Sequence, residues 1–260
     1  MSLLLPNLFP GTVFAGLFAD HCWLQGRQAR VAYSLHPERG ADAEAMLDAL
    51  KIMLDERKKQ LRKGTRLALV VSDSLAAFAM LPWQEALQRP AELESYANIF
   101  FEKQGRPLDA TWLLRTEFKR YRSNGIAYGL PRKWVEQLEE IVLARGLQLT
   151  SVLPVSAAAY CRLPKPKKIG TSLLMLIEKH RMTSMCFDVL GLQSCDIEPI
   201  IASEQLSGRR LLRRVVSAQK NVVQASVWSP LALEHRGERE IIKASLPNLE
   251  LQSLPHGVWS

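Results

Sequence analysis

The stretch SLLMLIEKHRMTSMCFDVL, residues 172–190, decides how the rest of the chain is read. Two apolar runs, Ser172–Ile177 and Met185–Leu190, flank a short charged segment. Runs of that length, rich in Leu, Met, Ile, Phe and Val, suit strands of a central sheet, with Leu174, Leu176, Phe187 and Val189 among the buried positions. The segment between them holds Glu178, Lys179, His180 and Arg181 and no glycine. A turn built this way offers charge and no backbone access.

Outward from that hairpin, strands and helices alternate. Toward the N-terminus, Thr12–Phe18, Cys22–Gln25 and Ala29–Leu35 read as strands, followed by an amphipathic helix over 41–62. The basic run Arg57-Lys-Lys59 suits a helix C-terminus, and Gly64 supplies the stop. Arg66–Val71 is continuously apolar after its first residue, as a strand covered on both faces would be. Ala76–Leu81, Thr111–Lys119 and Gly125–Leu130 read as further strands, with a helix over Pro90–Lys103. The helix Lys133–Arg145 sets Trp134, Leu138, Ile141 and Val142 on one face, and Gln148–Leu153 and an alanine-rich helix at Val155–Cys161 follow. Residues 163–168 read as a linker, and Gly208–Val223 as a basic helix. This order predicts the α/β class with mixed sheets.

Composition narrows the function. The 260 residues are 47% hydrophobic and 23% charged, an ordinary globular balance that excludes a disordered chain. The net charge of +8 admits an acidic protein, an anionic lipid surface or nucleic acid as partner. Arg209, Arg210, Arg213 and Arg214 cluster within two helical turns, yet no aromatics interleave with them for base stacking. Cys22, Cys161, Cys186 and Cys195 form no zinc spacing, and the five histidines no metal motif, so no metal is expected. No stretch approaches the roughly 20 apolar residues that span a bilayer. Ser72-Asp73-Ser74 stands at a strand end without the glycines of a nucleophile elbow.

Arg66-Leu-Ala-Leu-Val-Val71, then Phe78-Ala-Met-Leu-Pro82, then Ser156-Ala-Ala-Ala-Tyr160 and Ser207-Gly-Arg-Arg-Leu-Leu212 come in a telling order. In that order the chain resembles the actin-like ATPase-fold proteins of type IV pilus and type II secretion assembly, PilM and the cytoplasmic part of GspL. The resemblance covers roughly residues 12–223. It implies actin-like (ribonuclease H-like) mixed-sheet domains: a first domain at 1–162 with a small inserted α/β subdomain at 76–150, a linker at 163–168, and a shortened second domain at 169–260.

The family's two phosphate loops carry Asp-x-Gly followed by Ser or Thr. The acid orients Mg²⁺ through water and the glycine lets the backbone approach phosphate. Against that pattern, Leu17 stands for the first acid and Ala19 for its glycine, with Asp20 and His21 following. In the second loop, Ile177 and Lys179 take those places, with His180 and Arg181 after them. Both loops lack the acid and the glycine together, so no nucleotide cofactor and no catalysis are expected. Lys179, His180 and Arg181 retain cations that suit an anion. The resemblance then implies a cytoplasmic, non-catalytic scaffold of a pilus or secretion machine, held at the inner membrane by its protein partners. Those partners would be a membrane-protein tail or the motor ATPase. Trp83, Tyr96, Phe100, Phe101 and Tyr121, with Arg209, Arg210 and Arg213, are the candidate partner-binding residues. The alternatives are an active nucleotide-binding ATPase of the same fold and a basic nucleic-acid-binding protein.

Overall fold

A computed structural model describes residues 11–26, 30–35, 43–87, 89–162, 170–200, 222–230 and 250–254. The linker at 163–168, His36, His235, His256, and the candidate partner residues Arg209, Arg210 and Arg213 lie outside the described residues. By contacts the chain parts into two compact units. One comprises the chain up to Val71 with Arg132–Leu153, and the other Ser72–Pro131 with the chain from Pro154 onward.

The first unit is built on a five-stranded sheet. Its order is β3 (Arg30–Ser34), β2 (His21–Gln25), β1 (Thr12–Leu17), β4 (Arg66–Val71) and β8 (Gln148–Pro154). β1 and β2 form an antiparallel hairpin, and β4 runs parallel to β1 with Thr12 opposite Arg66 and Leu17 opposite Val71. Every β4 residue after Arg66 is buried, as its continuous apolar run requires. Helix α1 (Ala43–Glu56) buries Met46, Leu50 and Met53 along one stripe, and α3 (Arg132–Leu143) buries Trp134, Leu138, Ile141 and Val142. The Trp134 indole Nε1 donates to the Ala43 carbonyl (3.0 Å), which pins the two helices together.

Helix α1 ends earlier than its sequence suggests. The chain leaves the helix at Glu56 and turns through Arg57–Gln60, so the basic run sits outside the last helical turn. Gly64, at φ 81°, makes the later bend that leads into β4.

The second unit holds two sheets. The smaller one orders β5 (Ala77–Leu81), β7 (Gly125–Pro131) and β6 (Trp112–Glu117), all antiparallel, and is packed by α2 (Pro90–Lys103). Phe101 and Ala97 of α2 meet Ala79, Leu81, Leu114 and Ala127 in one apolar cluster. The larger sheet orders β11 (Gly191–Pro199), β10 (Arg181–Asp188), β9 (Thr171–Glu178), β12 (Val222–Trp228) and β13 (Glu250–Ser253). β9, β10 and β11 form an antiparallel meander, and β12 runs parallel to both β9 and β13. Helix α4 (Val155–Arg162) completes the unit and is buried from Val155 to Tyr160.

The inserted stretch is shorter than 76–150. Only β5, β6, β7 and α2 make a sheet of their own, while α3 and β8 return to the first sheet. There the Gln148 amide donates to the Thr65 carbonyl (3.0 Å) and the Thr150 hydroxyl to the Leu67 carbonyl (3.0 Å). The hairpin at 172–190 forms two strands with Leu174 and Leu176 buried, but Phe187 is half-buried and Val189 is 56% exposed. A register shift falls between Cys186 and Phe187, and Val189 lies past the end of the strand in the β10–β11 turn, so the buried part of β10 is Met182–Cys186. Val222 opens β12, which removes the end of the basic helix expected over Gly208–Val223.

Gly16 faces Trp23 across the β1–β2 pair, and a Cβ there would fall 2.2 Å from the indole Nε1. Trp23 is 2% exposed and its ring has no room to withdraw. Gly16→Ala is expected to destabilise by about 1–3 kcal/mol in urea unfolding. Gly11→Ala, with nothing within 4 Å of the added carbon, is the matched control and should show no comparable loss.

Candidate functional site

The first expected loop is a tight turn between β1 and β2. The Phe18 amide donates to the His21 carbonyl (3.2 Å), and the Leu35 amide to the Asp20 carbonyl (3.1 Å). Leu17 and Phe18 are fully buried, Ala19 and His21 nearly so, and Asp20 is half-buried. Side chains of the apolar core therefore occupy the positions where the family pattern places an acid and a glycine. The Cys22 thiol donates to the Phe18 carbonyl (3.7 Å) and burial pushes its pKa up to about 12.

The second loop lies in the other unit, between β9 and β10, and Lys179 and His180 alone make the turn. Ile177 is fully buried in the core with Leu173, Met175 and Met182. The two charged residues that bracket the turn face inward to the 3₁₀ turn Asp73–Leu75. The Asp73 amide donates to Glu178 Oε2 (3.2 Å), and Arg181 Nη1 donates to the Asp73 carbonyl (2.8 Å). Asp73 is itself 0% exposed, and its side chain accepts from the Ser156 amide (3.0 Å) and from the Ser156 hydroxyl at the start of α4. Ser72 caps the 3₁₀ turn by accepting from the Ser74 amide (3.1 Å). Hydroxyls of the kind that follow the family's glycine are present at Thr183 and Ser184, but both are buried in β10 and have no hydrogen-bond partner.

This cluster joins four chain segments around one buried residue. Burial, followed by the Asp73 carboxylate beside it, pushes the Glu178 pKa up to about 8, against the lowering influence of Ser72 and Arg181. Glu178 Oε1 and Arg181 Nε are buried without partners, so both ends of the turn are committed to the protein interior. The pairing of Asp73 with Glu178, 105 residues apart, had no sequence signal beyond the Ser-Asp-Ser at a strand end. Among the described residues, no group of three His, Cys, Asp or Glu side chains gathers as a metal site would need. All four cysteines are free thiols; Cys195 pairs opposite Met185 on the β10–β11 ladder, and Cys186 opposite Ser194.

The candidate partner residues separate. Phe101 is 0% exposed in the α2 core and is unavailable as an anchor. Tyr96 and Phe100 are half-buried and stack edge-on (centroids 5.1 Å apart), with the Tyr96 hydroxyl donating to the Pro82 carbonyl (3.1 Å). Trp83 and Tyr121 come together. They line a groove of about 360 Å³ with Leu87, Leu93, Phe118 and Arg120. Trp83 meets Phe118 and Tyr121 edge-on, at 5.6 and 5.2 Å between centroids. Phe118 and Arg120 were not singled out in the sequence; Phe118 falls within the run Thr111–Lys119 read as a strand, which ends at Glu117 in the structure.

Because the folded state favours protonated Glu178, the folded chain binds more protons than the unfolded one between pH 4.5 and about 8. Stability is then full below that window and falls across it, by up to about 1.4 kcal/mol per pH unit. Glu178→Gln keeps an acceptor for the Asp73 amide and removes the titration. Its urea midpoint should lose the decline that the parent shows on going from mildly acidic to mildly alkaline buffer. An unchanged decline would mean that another group carries it.

No family model matches the chain, and no curated protein matches its sequence. Solved structures do match. A PilM–PilN type IV pilus biogenesis complex superposes with TM-score 0.65 and 12% identity, over 94% of this chain and 90% of that one. A Bacteroides thetaiotaomicron protein with an actin-like ATPase fold and unknown function matches with TM-score 0.59 and 12% identity, over 93% and 90%. The cytoplasmic domain of EpsL, an inner-membrane component of the type II secretion system of Vibrio cholerae, gives 0.48 and 12%, over 85% and 82%. The fold of this chain is that of the actin-like ATPases.

Proposed function

We propose that the chain is a non-catalytic assembly protein of a type IV pilus or a related secretion machine, acting through protein partners at the inner membrane. The observation that carries this reading is the β9–β10 turn. Glu178 and Arg181 are both hydrogen-bonded to the Asp73 backbone, at 3.2 and 2.8 Å. A phosphate site needs a glycine for close approach and amides or cations turned toward the ligand. Here the turn has neither glycine nor an outward Arg181, and the β1–β2 turn buries Leu17 and Phe18 in its place. The pilus assignment draws on likeness in fold to a PilM whose solved structure is a complex with PilN. A short protein segment as partner is the reading that follows, and the Trp83–Tyr121 groove is where it would dock.

Two measurements test the two halves. A ligand present at a hundredfold its dissociation constant stabilises by about 2.7 kcal/mol. Millimolar ATP with Mg²⁺ is therefore expected to leave the melting temperature unmoved, and a rise of several degrees would overturn the non-catalytic half. For the assembly half, affinity-tagged chain recovered from its native cells in mild detergent should bring with it a single-pass membrane protein or a secretion ATPase. Recovery of neither would overturn it.

A further inference from the structure

The β10–β11 turn is closed by Val189 and Leu190, between the paired Asp188 and Gly191. Turns this tight draw on Gly, Asn, Asp, Pro and Ser, which adopt the bend or bond to its backbone. Here both central side chains are aliphatic, and they stand 56% and 68% exposed. The backbone beneath them is tied down. Asp188 Oδ1 accepts from the Leu190 amide (2.7 Å), the Gly191 amide (3.1 Å) and Gln193 Nε2 (2.9 Å). The tip is also seated on the β6–β7 turn at three points. Arg120 Nη1 donates to the Val189 carbonyl (2.6 Å), and Asn124 Nδ2 to the Leu192 carbonyl (2.9 Å). Between them Gly191, at φ 125°, lies so near Ser123 that an added Cβ would fall 2.9 Å from that of the serine.

The β6–β7 turn adds a ring and positive charge to this tip. Tyr121 is 67% exposed, and the Arg122 guanidinium lies over its ring, 5.2 Å from the centroid. Lys119, Arg120 and Arg122 follow one another around it. Two acids stand nearby. Asp188 is taken up by the donors of its own turn. Glu85 lies 3.6 Å from Arg122 and accepts from the Tyr121 hydroxyl (3.2 Å). The Arg122 and Glu85 side chains are 68% and 70% exposed, so that pair is weak and readily exchanged for another anion.

We propose that these two turns rest directly on an anionic lipid surface. Val189 and Leu190 enter the headgroup region, Tyr121 lies at its boundary, and Arg120 and Arg122 meet lipid phosphates. A bilayer suits the tip better than a protein for three reasons. The aliphatic side chains project from a turn, whereas a protein anchor is received in a packed recess. The amides of Leu190 and Gly191 and the carbonyl of Val189 are already bonded, so this backbone can leave water without unpaired groups. Aliphatic tip, tyrosine and arginines together match the layers of a headgroup interface, where tyrosine marks the boundary and arginine reaches outward. The net charge of the chain, +8, draws it to such a surface.

Direct lipid contact goes beyond the assembly role, which needs only protein partners at the membrane. The test is co-sedimentation of the full-length chain with vesicles of phosphatidylcholine alone, and with phosphatidylglycerol added at roughly one lipid in three. The mixed vesicles should bind the chain, and the neutral ones several-fold more weakly. Val189→Ser combined with Leu190→Ser should lower the partition coefficient about tenfold, and Arg122→Gln about fivefold. Ile52→Ser, at a residue 39% exposed on α1, is the control and should change nothing. A tryptophan placed by Leu190→Trp should be quenched by brominated lipid, which adsorption by charge alone would not produce. No binding to the mixed vesicles, equal binding to the neutral ones, or binding indifferent to the tip substitutions would each overturn the proposal. Loss of a detergent-recovered protein partner on the same substitutions, with vesicle binding unchanged, would assign the tip to a protein and overturn it as well. Failed vesicle binding with a membrane protein or secretion ATPase still recovered from native cells would leave the assembly role standing. Vesicle binding through the tip with neither recovered would separate the two in the opposite sense.

Discussion

One buried side chain organises the second unit. The Asp73 carboxyl is shut away from water, and a group of that kind is tolerated only where the protein supplies its hydrogen bonds. Ser156 supplies two of them from the first turn of α4, through its amide and its hydroxyl. The Asp73 backbone then donates to Glu178 through its amide and accepts from Arg181 through its carbonyl. A 3₁₀ turn, a helix and two strands are therefore fixed by a single residue. Removing the Glu178 carboxyl leaves the Asp73 amide unsatisfied in the interior, at a cost of about 1–3 kcal/mol, whereas the Asp73 carbonyl also accepts from the Ala76 amide.

That arrangement also gives the β9–β10 turn its character. The two charged residues that flank its tip are turned inward. Lys179 and His180 remain at the tip, but the flanking acid and base are bound to Asp73. The β1–β2 turn reaches a similar end by another route, filling its place with Leu17 and Phe18. Polar bonding fixes one turn and apolar packing the other. What stands open to solvent is elsewhere, in the aromatic groove beside β5 and β6.

The sequence made parts of this legible for definite reasons. β4 was readable because a strand covered on both faces is apolar throughout, and α3 because its buried residues repeat at helical spacing. β11 was not, since in Gly191–Pro199 only Leu192 is buried and the remainder are half-buried or exposed polar and apolar residues in no regular order. β12 and β13 escaped notice because each pairs in parallel with a strand far away in the chain, which leaves no hairpin signature. Phe187 was misplaced by a bulge that no local pattern announced, and Val189 because the strand ends one residue before it, at Asp188. That neither turn contains a glycine could be read directly, whereas the union of Asp73, Ser156, Glu178 and Arg181 depends on three separate parts of the chain meeting. Trp83 and Tyr121 were visible as aromatics in polar company; that they share a wall was not.

The interruption of the first unit has a consequence for how the chain is made. β4 lies between β1 and β8, yet β8 is separated from it by the whole of Ser72–Pro131 and by α3. During synthesis, Arg66–Val71 emerges with a neighbour on one side and a bare row of amides and carbonyls on the other. It stays so until Gln148–Pro154 has left the ribosome. A largely apolar edge of that kind is one that nascent chains readily pair with wrongly. Arg66 at its start and Thr65 before it are the polar residues that border this edge. The interval during which the edge is open is set by the length of the insertion. Lengthening the loops of the small sheet would therefore leave the finished protein's contacts intact and still lower the yield of folded chains.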